Sequence, residues 1–209
     1  MGKMITSITD LILSFVAIGF GVILYKHWRN TKSVDYKCWT SFMIMLGTAA
    51  FIGTIYHGIN FFHGPEIRFL IRCFLGLALV SWFVGSSVEI FGMKKLNAIL
   101  WIAAFYSFFF YFIQIQPWAR NYLFVDIFVL LTFSFSLCLY IWLLVKKPSK
   151  KAKLMIIGII GLIFSSLIRA SKTTLLYPLT SNDIYHIVGI VALYILYRAM
   201  KVSNTTHVV

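Results

Sequence analysis

The sequence is poor in charged residues and in cysteine, and both shortages limit the class of protein. Of its 209 residues only 12% are charged and only six are acidic, whereas 60% are hydrophobic. A soluble domain of this length does not need so much apolar surface. The three cysteines, Cys38, Cys73 and Cys138, are odd in number and widely spaced. They predict neither a disulfide framework nor a CxxC metal site.

Several familiar cofactor and enzyme motifs are also missing. The chain has no Rossmann or Walker motif for a nucleotide and no serine-hydrolase elbow. A retinal pigment needs a lysine for its Schiff base, and no lysine lies between Asn182 and Met200 in the last hydrophobic run. The sequence therefore predicts neither a nucleotide nor a retinal cofactor.

What the chain does contain is a series of apolar runs of about 20 residues, the length that a helix needs to cross a bilayer. We predict an all-α, multi-pass integral membrane protein, a seven-transmembrane helix bundle that forms one domain over residues 1–209. Short connections favour antiparallel packing of sequential helices. The spans are expected at about Thr9–Lys26, Cys38–Phe62, Ile67–Phe91, Leu96–Ile113, Tyr122–Val145, Lys153–Ser171 and Asn182–Met200.

The net charge of +13 is explained by membrane topology rather than by nucleic acid. Thirteen of the nineteen lysines and arginines lie at one set of span ends, and six lie at the other. Because positive loops favour the cytoplasm, we predict an outside N-terminus and a cytoplasmic C-terminus. The Lys146–Lys153 cluster is expected to contact anionic lipid, so the predicted partners are membrane lipids and not nucleic acid.

The second span carries a histidine about one turn inside its outer end, on a helix face that also holds small residues. At about 100° per residue, Gly47, Ala50, Gly53 and Thr54 fall on the same side as His57. Small residues in a membrane helix mark the close approach of a neighbouring backbone. We therefore expect the imidazole to point into the bundle, where an ionisable group indicates a functional site.

Other ionisable residues are expected at the same depth, near the outer ends of six spans. In the inner half we expect only Glu89, close to Lys94 and Lys95. This asymmetry favours a polar site beneath the outer surface, although ion pairs that tie helices together would give a similar pattern. The residues at this level are Asp10, His57, Arg72, Asp126, Arg169, Asp183 and His186.

Two histidines and an aspartate in this group form a candidate metal site. Neutral imidazole is the commonest protein ligand of zinc, and a site with three protein ligands leaves one position for water. Zinc would turn that water into a nucleophile at neutral pH. The predicted ligands are His57, Asp183 and His186. Asp10 or Asp126 is expected to act as a general base or to orient a ligand.

The arrangement resembles the seven-helix membrane hydrolases that include alkaline ceramidases, progestin and adiponectin receptors, haemolysin III proteins and GPI-anchor lipid remodelling enzymes. Those proteins carry Ser-x-x-x-His on the second helix and His-x-x-x-His on the seventh. This chain has Gly53 at the serine position before His57, and His186 without a second histidine four residues away. The resemblance implies a zinc-dependent hydrolase of lipid amides or esters, with a site nearer the cytoplasm than the one predicted here.

The residues leave open whether the protein is an enzyme. The leading hypothesis is a metal-assisted hydrolase that acts on a lipid-like amide or ester near the outer leaflet. The alternative is an ion or small-solute channel, transporter or sensor with a polar outer vestibule. In either case Arg72, Arg169 and Thr54 are expected to bind the substrate or the ion. A third possibility is a packing subunit whose ion pairs are structural.

Overall fold

The computed structural model describes residues 2–58, 64–116, 122–171 and 179–202. Within these ranges seven helices are long and apolar enough to cross a membrane, which confirms the predicted number and type of spans. This is the architecture of a multi-pass membrane protein. The helices are α1 (Gly2–Thr31), α2 (Val34–Gly58), α3 (Pro65–Phe91), α4 (Leu96–Gln114), α5 (Leu123–Lys146), α6 (Lys150–Ser171) and α7 (Ser181–Lys201).

The helix ends follow local sequence signals. Helix α3 begins with Pro65 after the extended Gly64, a position where the missing N–H of proline costs nothing. Helix α7 begins with a capping box between Thr180 and Asp183. The largest difference from the predicted bounds is at α1, which starts at Gly2 rather than near Thr9. The predicted end of the second span, Phe62, lies outside the described residues.

Six of the helices form a closed ring in the order α1, α2, α3, α5, α6 and α7, with α7 packed back on α1. Large buried side chains such as Trp39, Trp82 and Tyr140 fill the interior of the bundle. Helix α4 lies outside the ring, packs mainly on α3 and has little contact with α5, so the expected packing of sequential neighbours fails only between α4 and α5. Its aromatic face is exposed, with Trp101 at 79% and Phe105 at 65%. Such a face is suited to contact with lipid.

The closest helix pair is α1 with α2, and its contact is made by the small residues that the sequence singles out. A Cβ added to Gly47 would lie 2.6 Å from Cγ1 of Ile18 and 3.1 Å from the backbone oxygen of Ser14. The backbone of α1 therefore approaches α2 directly at Gly47, as the small-residue face predicts.

Replacing Gly47 by Leu should destabilise the protein, because the added side chain has to displace α1. We expect the free energy of unfolding to fall by about 1–3 kcal/mol, as is usual for overpacking. Thermal unfolding in detergent would measure the change. The matched control is Gly19→Leu on α1, where an added Cβ has no heavy atom within 4 Å. Equal melting temperatures for the two variants would contradict the close contact.

Candidate functional site

A small polar cavity lies at the end of the ring where α1, α3 and α7 begin and where α2 and α6 end. Its volume is about 80 Å³. Because one water needs about 10–15 Å³ on this measure, the cavity has room for several waters or for a small polar group of a ligand. Its walls include polar and apolar side chains. They are Asp10, Leu13, Leu46, Ala49, Ala50, Gly53, His57, Ile71, Leu75, Tyr122, Arg169, Asn182, Tyr185 and His186.

The carboxylate of Asp10 lies between the two predicted histidines. Its Oδ1 is 3.1 Å from Nε2 of His186, and its Oδ2 is 3.9 Å from Nε2 of His57. Asp10 and His186 are buried, whereas 31% of the His57 side chain is exposed. Helices α1, α2 and α7 therefore contribute to one acid–base group, of which His57 is the most accessible member.

The second ring nitrogen of His186 also has a partner. Its Nδ1 lies 3.0 Å from the hydroxyl of Thr9, which is 2.9 Å from the backbone oxygen of Thr6. The Thr9 hydroxyl has a single proton, which goes either to the Thr6 backbone oxygen or to Nδ1 of a neutral His186 that donates its Nε2 proton to Asp10. The contacts on both nitrogens fix the orientation of the ring beside Asp10.

Asp183 lies one helical turn before His186, but its carboxylate points elsewhere. Its Oδ2 accepts hydrogen bonds from the backbone N–H of Thr180 at 2.8 Å and from the Thr180 hydroxyl at 2.7 Å. Its Oδ1 accepts the Thr6 hydroxyl at 2.7 Å. Asp183 therefore caps α7 and ties that helix to α1.

Arg169 brings a positive charge to the cavity wall. Its guanidinium forms an ion pair with Asp126. The guanidinium carbon also lies 5.5 Å from the ring centre of Tyr122 and 5.0 Å from that of Tyr185, within the range of cation–π contacts. Asp126 is thus attached to the site through Arg169.

The remaining predicted residues do not line the cavity. The Thr54 hydroxyl donates to the backbone oxygen of Ala50 at 3.1 Å, within its own helix. Arg72 is buried on α3, while its neighbour Ile71 lines the cavity. Their predicted roles in binding a substrate or an ion stay predictions.

The three predicted zinc ligands have different side-chain partners in this arrangement. Among the described residues no group of three or more His, Cys, Asp or Glu side chains could hold a metal ion. Asp183 is engaged by threonines, and His186 has partners at both nitrogens. Zinc at His57, Asp183 and His186 stays a prediction that metal analysis has to test.

Sequence reasoning missed the residues that hold the site in place. Thr6 and Thr9 bind Asp183 and His186, and Tyr122 and Tyr185 flank Arg169. One signal for the threonines was available, because positions 6, 9 and 10 share a helix face. The tyrosines carried no such signal, since they come from the ends of two distant segments.

Comparison with known families finds one match. Residues 5–205 match the model described as "Family of unknown function (DUF6962)". Searches of curated proteins and of solved structures found no match to the chain.

Proposed function

The chain belongs to the DUF6962 family, whose function is unknown, and from the geometry of the cavity we propose a membrane-embedded hydrolase that acts on a lipid-like ester or amide. The observation that carries the proposal is the carboxylate of Asp10 between two histidines, in a cavity that also holds a guanidinium. A base and a cation beside a space that can hold water are what carbonyl hydrolysis requires.

In the proposed reaction, His57 accepts a proton from a water in the cavity. The water oxygen forms a bond to the substrate carbonyl carbon, and the bond from that carbon to the alcohol oxygen or the amine nitrogen breaks. The leaving group takes up the proton from His57. Asp10 stabilises the imidazolium that forms, and His186 with Thr9 holds Asp10 in position.

Arg169 is the proposed binding group for the charge that develops on the carbonyl oxygen. A donor that is already oriented where negative charge appears costs little reorganisation during the reaction. Its ion pair with Asp126 and its two tyrosine neighbours support such an orientation. Asp126 thereby acts through Arg169 rather than as the general base.

Zinc takes no part in the proposed reaction, because the carboxylate of Asp183 is engaged by Thr6 and Thr180. Elemental analysis of the purified protein tests the predicted metal. If the wild-type protein contains stoichiometric zinc and the His57→Ala variant contains none, the side chains must rearrange around a metal ion.

The position of the cavity in the bilayer is part of the proposal. The excess of basic residues at the opposite span ends supports an outside N-terminus and a cytoplasmic C-terminus. The cavity then lies beneath the outer surface, within reach of lipid from the outer leaflet.

The proposal is tested by measuring fatty acid release by the protein in vesicles. The panel contains a glycerophospholipid, an N-acyl sphingoid amide and a short-chain nitrophenyl ester. We expect at least one substrate to be cleaved, and its rate to fall at least about 100-fold in His57→Ala. His27→Ala, the same change at the other end of the bundle, is the control. No cleavage of any substrate, or a wild-type rate in His57→Ala, would contradict the proposal.

Gly53 makes room for Asp10, which gives a further prediction. A Cβ at Gly53 would lie 3.1 Å from Oδ2 of Asp10, so Gly53→Ala should push the carboxylate away from His57. We expect about a tenfold loss of hydrolytic rate with little change in melting temperature, because small displacements of reacting groups are costly. Gly189→Ala on α7 is the control, since an added Cβ there meets nothing within 4 Å. A wild-type rate in Gly53→Ala would refute this role.

A transport function is the second candidate. It is favoured by a polar cluster at the other end of the ring, where Glu89 contacts Lys151 and Tyr140. Flux of protons or small ions across sealed proteoliposomes that is lost in Asp10→Asn would support it. Tight vesicles with no flux would count against it.

A further inference from the structure

The end of the ring opposite the cavity is closed by buried charges. Lys151 Nζ lies 2.8 Å from Oε1 of Glu89, and the Tyr140 hydroxyl donates to Oε2 of Glu89 at 3.0 Å. We call Glu89, Tyr140 and Lys151 the latch cluster. Glu89 and Tyr140 lie near the ends of α3 and α5, and Lys151 lies in the first turn of α6. Glu89, the acidic residue expected in the inner half close to Lys94 and Lys95, pairs with Lys151.

Lys151 differs from the other lysines of its cluster. The side chains of Glu89 and Lys151 are only 3% and 5% exposed, whereas Lys150 and Lys153 are exposed. A lysine at the start of a membrane helix can ordinarily extend toward headgroups. Its burial beside a carboxylate removes two charges from water, and the attraction between them only partly offsets that cost.

The ion pair joins helices that share little other packing. Helix α3 packs on α2, α4 and α5, whereas α6 packs on α5 and α7. Tyr140 on α5 stands between them and contributes the third member of the latch cluster. A second polar contact joins α2 and α7 at the same end of the ring. The hydroxyl of Tyr36 on α2 donates to the backbone oxygen of Met200 on α7 at 2.9 Å.

A further polar layer lies one turn deeper in the ring. The indole Nε1 of Trp82 donates to the hydroxyl of Ser136 at 2.8 Å, and Ser86 Oγ lies 3.3 Å from the same oxygen. Both serines are fully buried. Water that passed the latch cluster would therefore meet hydroxyl groups rather than apolar side chains.

This end of the ring is held by a buried ion pair, and a buried ion pair can be separated more easily than an apolar interface. Separating an apolar interface exposes surface that water does not solvate well, whereas separating a buried ion pair returns two charges to water. The hydration that the charges regain offsets much of the attraction that they lose. Opening this end therefore costs less free energy than separating an apolar interface of the same size, while the closed arrangement stays the favoured one.

We propose that the latch cluster is a gate that closes the ring at the end opposite the cavity. Opening separates Glu89 from Lys151 and admits water as far as Ser86 and Ser136. Helices α3 and α6 also carry cavity residues at their other ends, Ile71 and Arg169. The inference does not depend on hydrolytic activity, since the gate controls access of water and small solutes to the interior.

The test measures how fast a buried thiol reacts with a charged, membrane-impermeant methanethiosulfonate. Ser136→Cys is the reporter, in a background where Cys38, Cys73 and Cys138 are replaced by Ala. In sealed vesicles we expect a slow reaction from either side. Glu89→Gln should raise the rate at least about tenfold, and only from the side where α6 begins. Glu66→Gln removes the same charge from an exposed position at the other end of α3 and should leave the rate unchanged.

Tyr140→Phe keeps the test decisive if Glu89→Gln does not fold, as judged by size-exclusion chromatography. It removes one hydrogen bond to Glu89 and should raise the labelling rate severalfold. The proposal is overturned if the folded variants react no faster than the reporter alone. It is equally overturned if Glu66→Gln raises the rate as much, because the closure would then not depend on this carboxylate.

Discussion

Replacing Asp10 by Asn should lower the rate of lipid hydrolysis about 10²–10⁴-fold, the usual contribution of an acid–base group. Asn has nearly the same shape as Asp but no negative charge, so it cannot stabilise an imidazolium at His57. The contact with His186 at 3.1 Å would also be altered, since the amide nitrogen is a donor. Initial rates in proteoliposomes, with the substrate that the wild-type protein cleaves, would measure the effect.

The control for this experiment is Asp35→Asn in the first turn of α2, at the other end of the bundle. It removes the same charge from the chain and should change the rate less than twofold. Melting temperatures of both variants should be compared, because Asp10 also joins α1 to α7. If folded Asp10→Asn keeps a rate within twofold of wild type, Asp10 is not part of the catalytic group.

Replacing Lys151 by Met should destabilise the protein by about 3–5 kcal/mol, because the carboxylate of Glu89 would remain buried without its partner. The double variant Glu89→Gln/Lys151→Met removes both charges and should recover much of the loss. Unfolding in detergent, analysed as a double-mutant cycle, would measure the coupling between the two side chains.

Lys153→Met is the matched control, since Lys153 is exposed on the same helix and should contribute within about 0.5 kcal/mol. The role assigned to the ion pair fails if Lys151→Met is as stable as this control. It also fails if the double variant is no more stable than Lys151→Met alone.

Most of the fold was predictable from hydrophobic run length. Among the described residues the seven runs form seven helices, because in lipid each backbone N–H and C=O must be paired within its own segment. The close contact of α1 with α2 at Gly47 was also predictable, since a residue without a side chain marks a backbone approach. The position of α4 outside the ring was not predictable, because aromatic residues lie all around this helix and do not indicate which neighbour it packs against.

The candidate site was predictable only as a set of residue types at one depth. The proximity of Asp10, His57 and His186 depends on how α1, α2 and α7 rotate and pack, which no local pattern encodes. The same limit explains Asp183. A capping residue and a metal ligand look alike in sequence, and only the structure shows that Asp183 accepts the hydroxyl of Thr6 on another helix.

The sequence by itself determined that the described part of the chain forms seven helices apolar enough to span a membrane, with ionisable side chains near their ends, because run length and residue type act locally. Only the tertiary structure decided the pairs: Asp10 with two histidines, Arg169 with Asp126, and Glu89 with Lys151. The physical reason is that a buried charge needs a partner, and which partner it meets is set by the packing of helices that are distant along the chain.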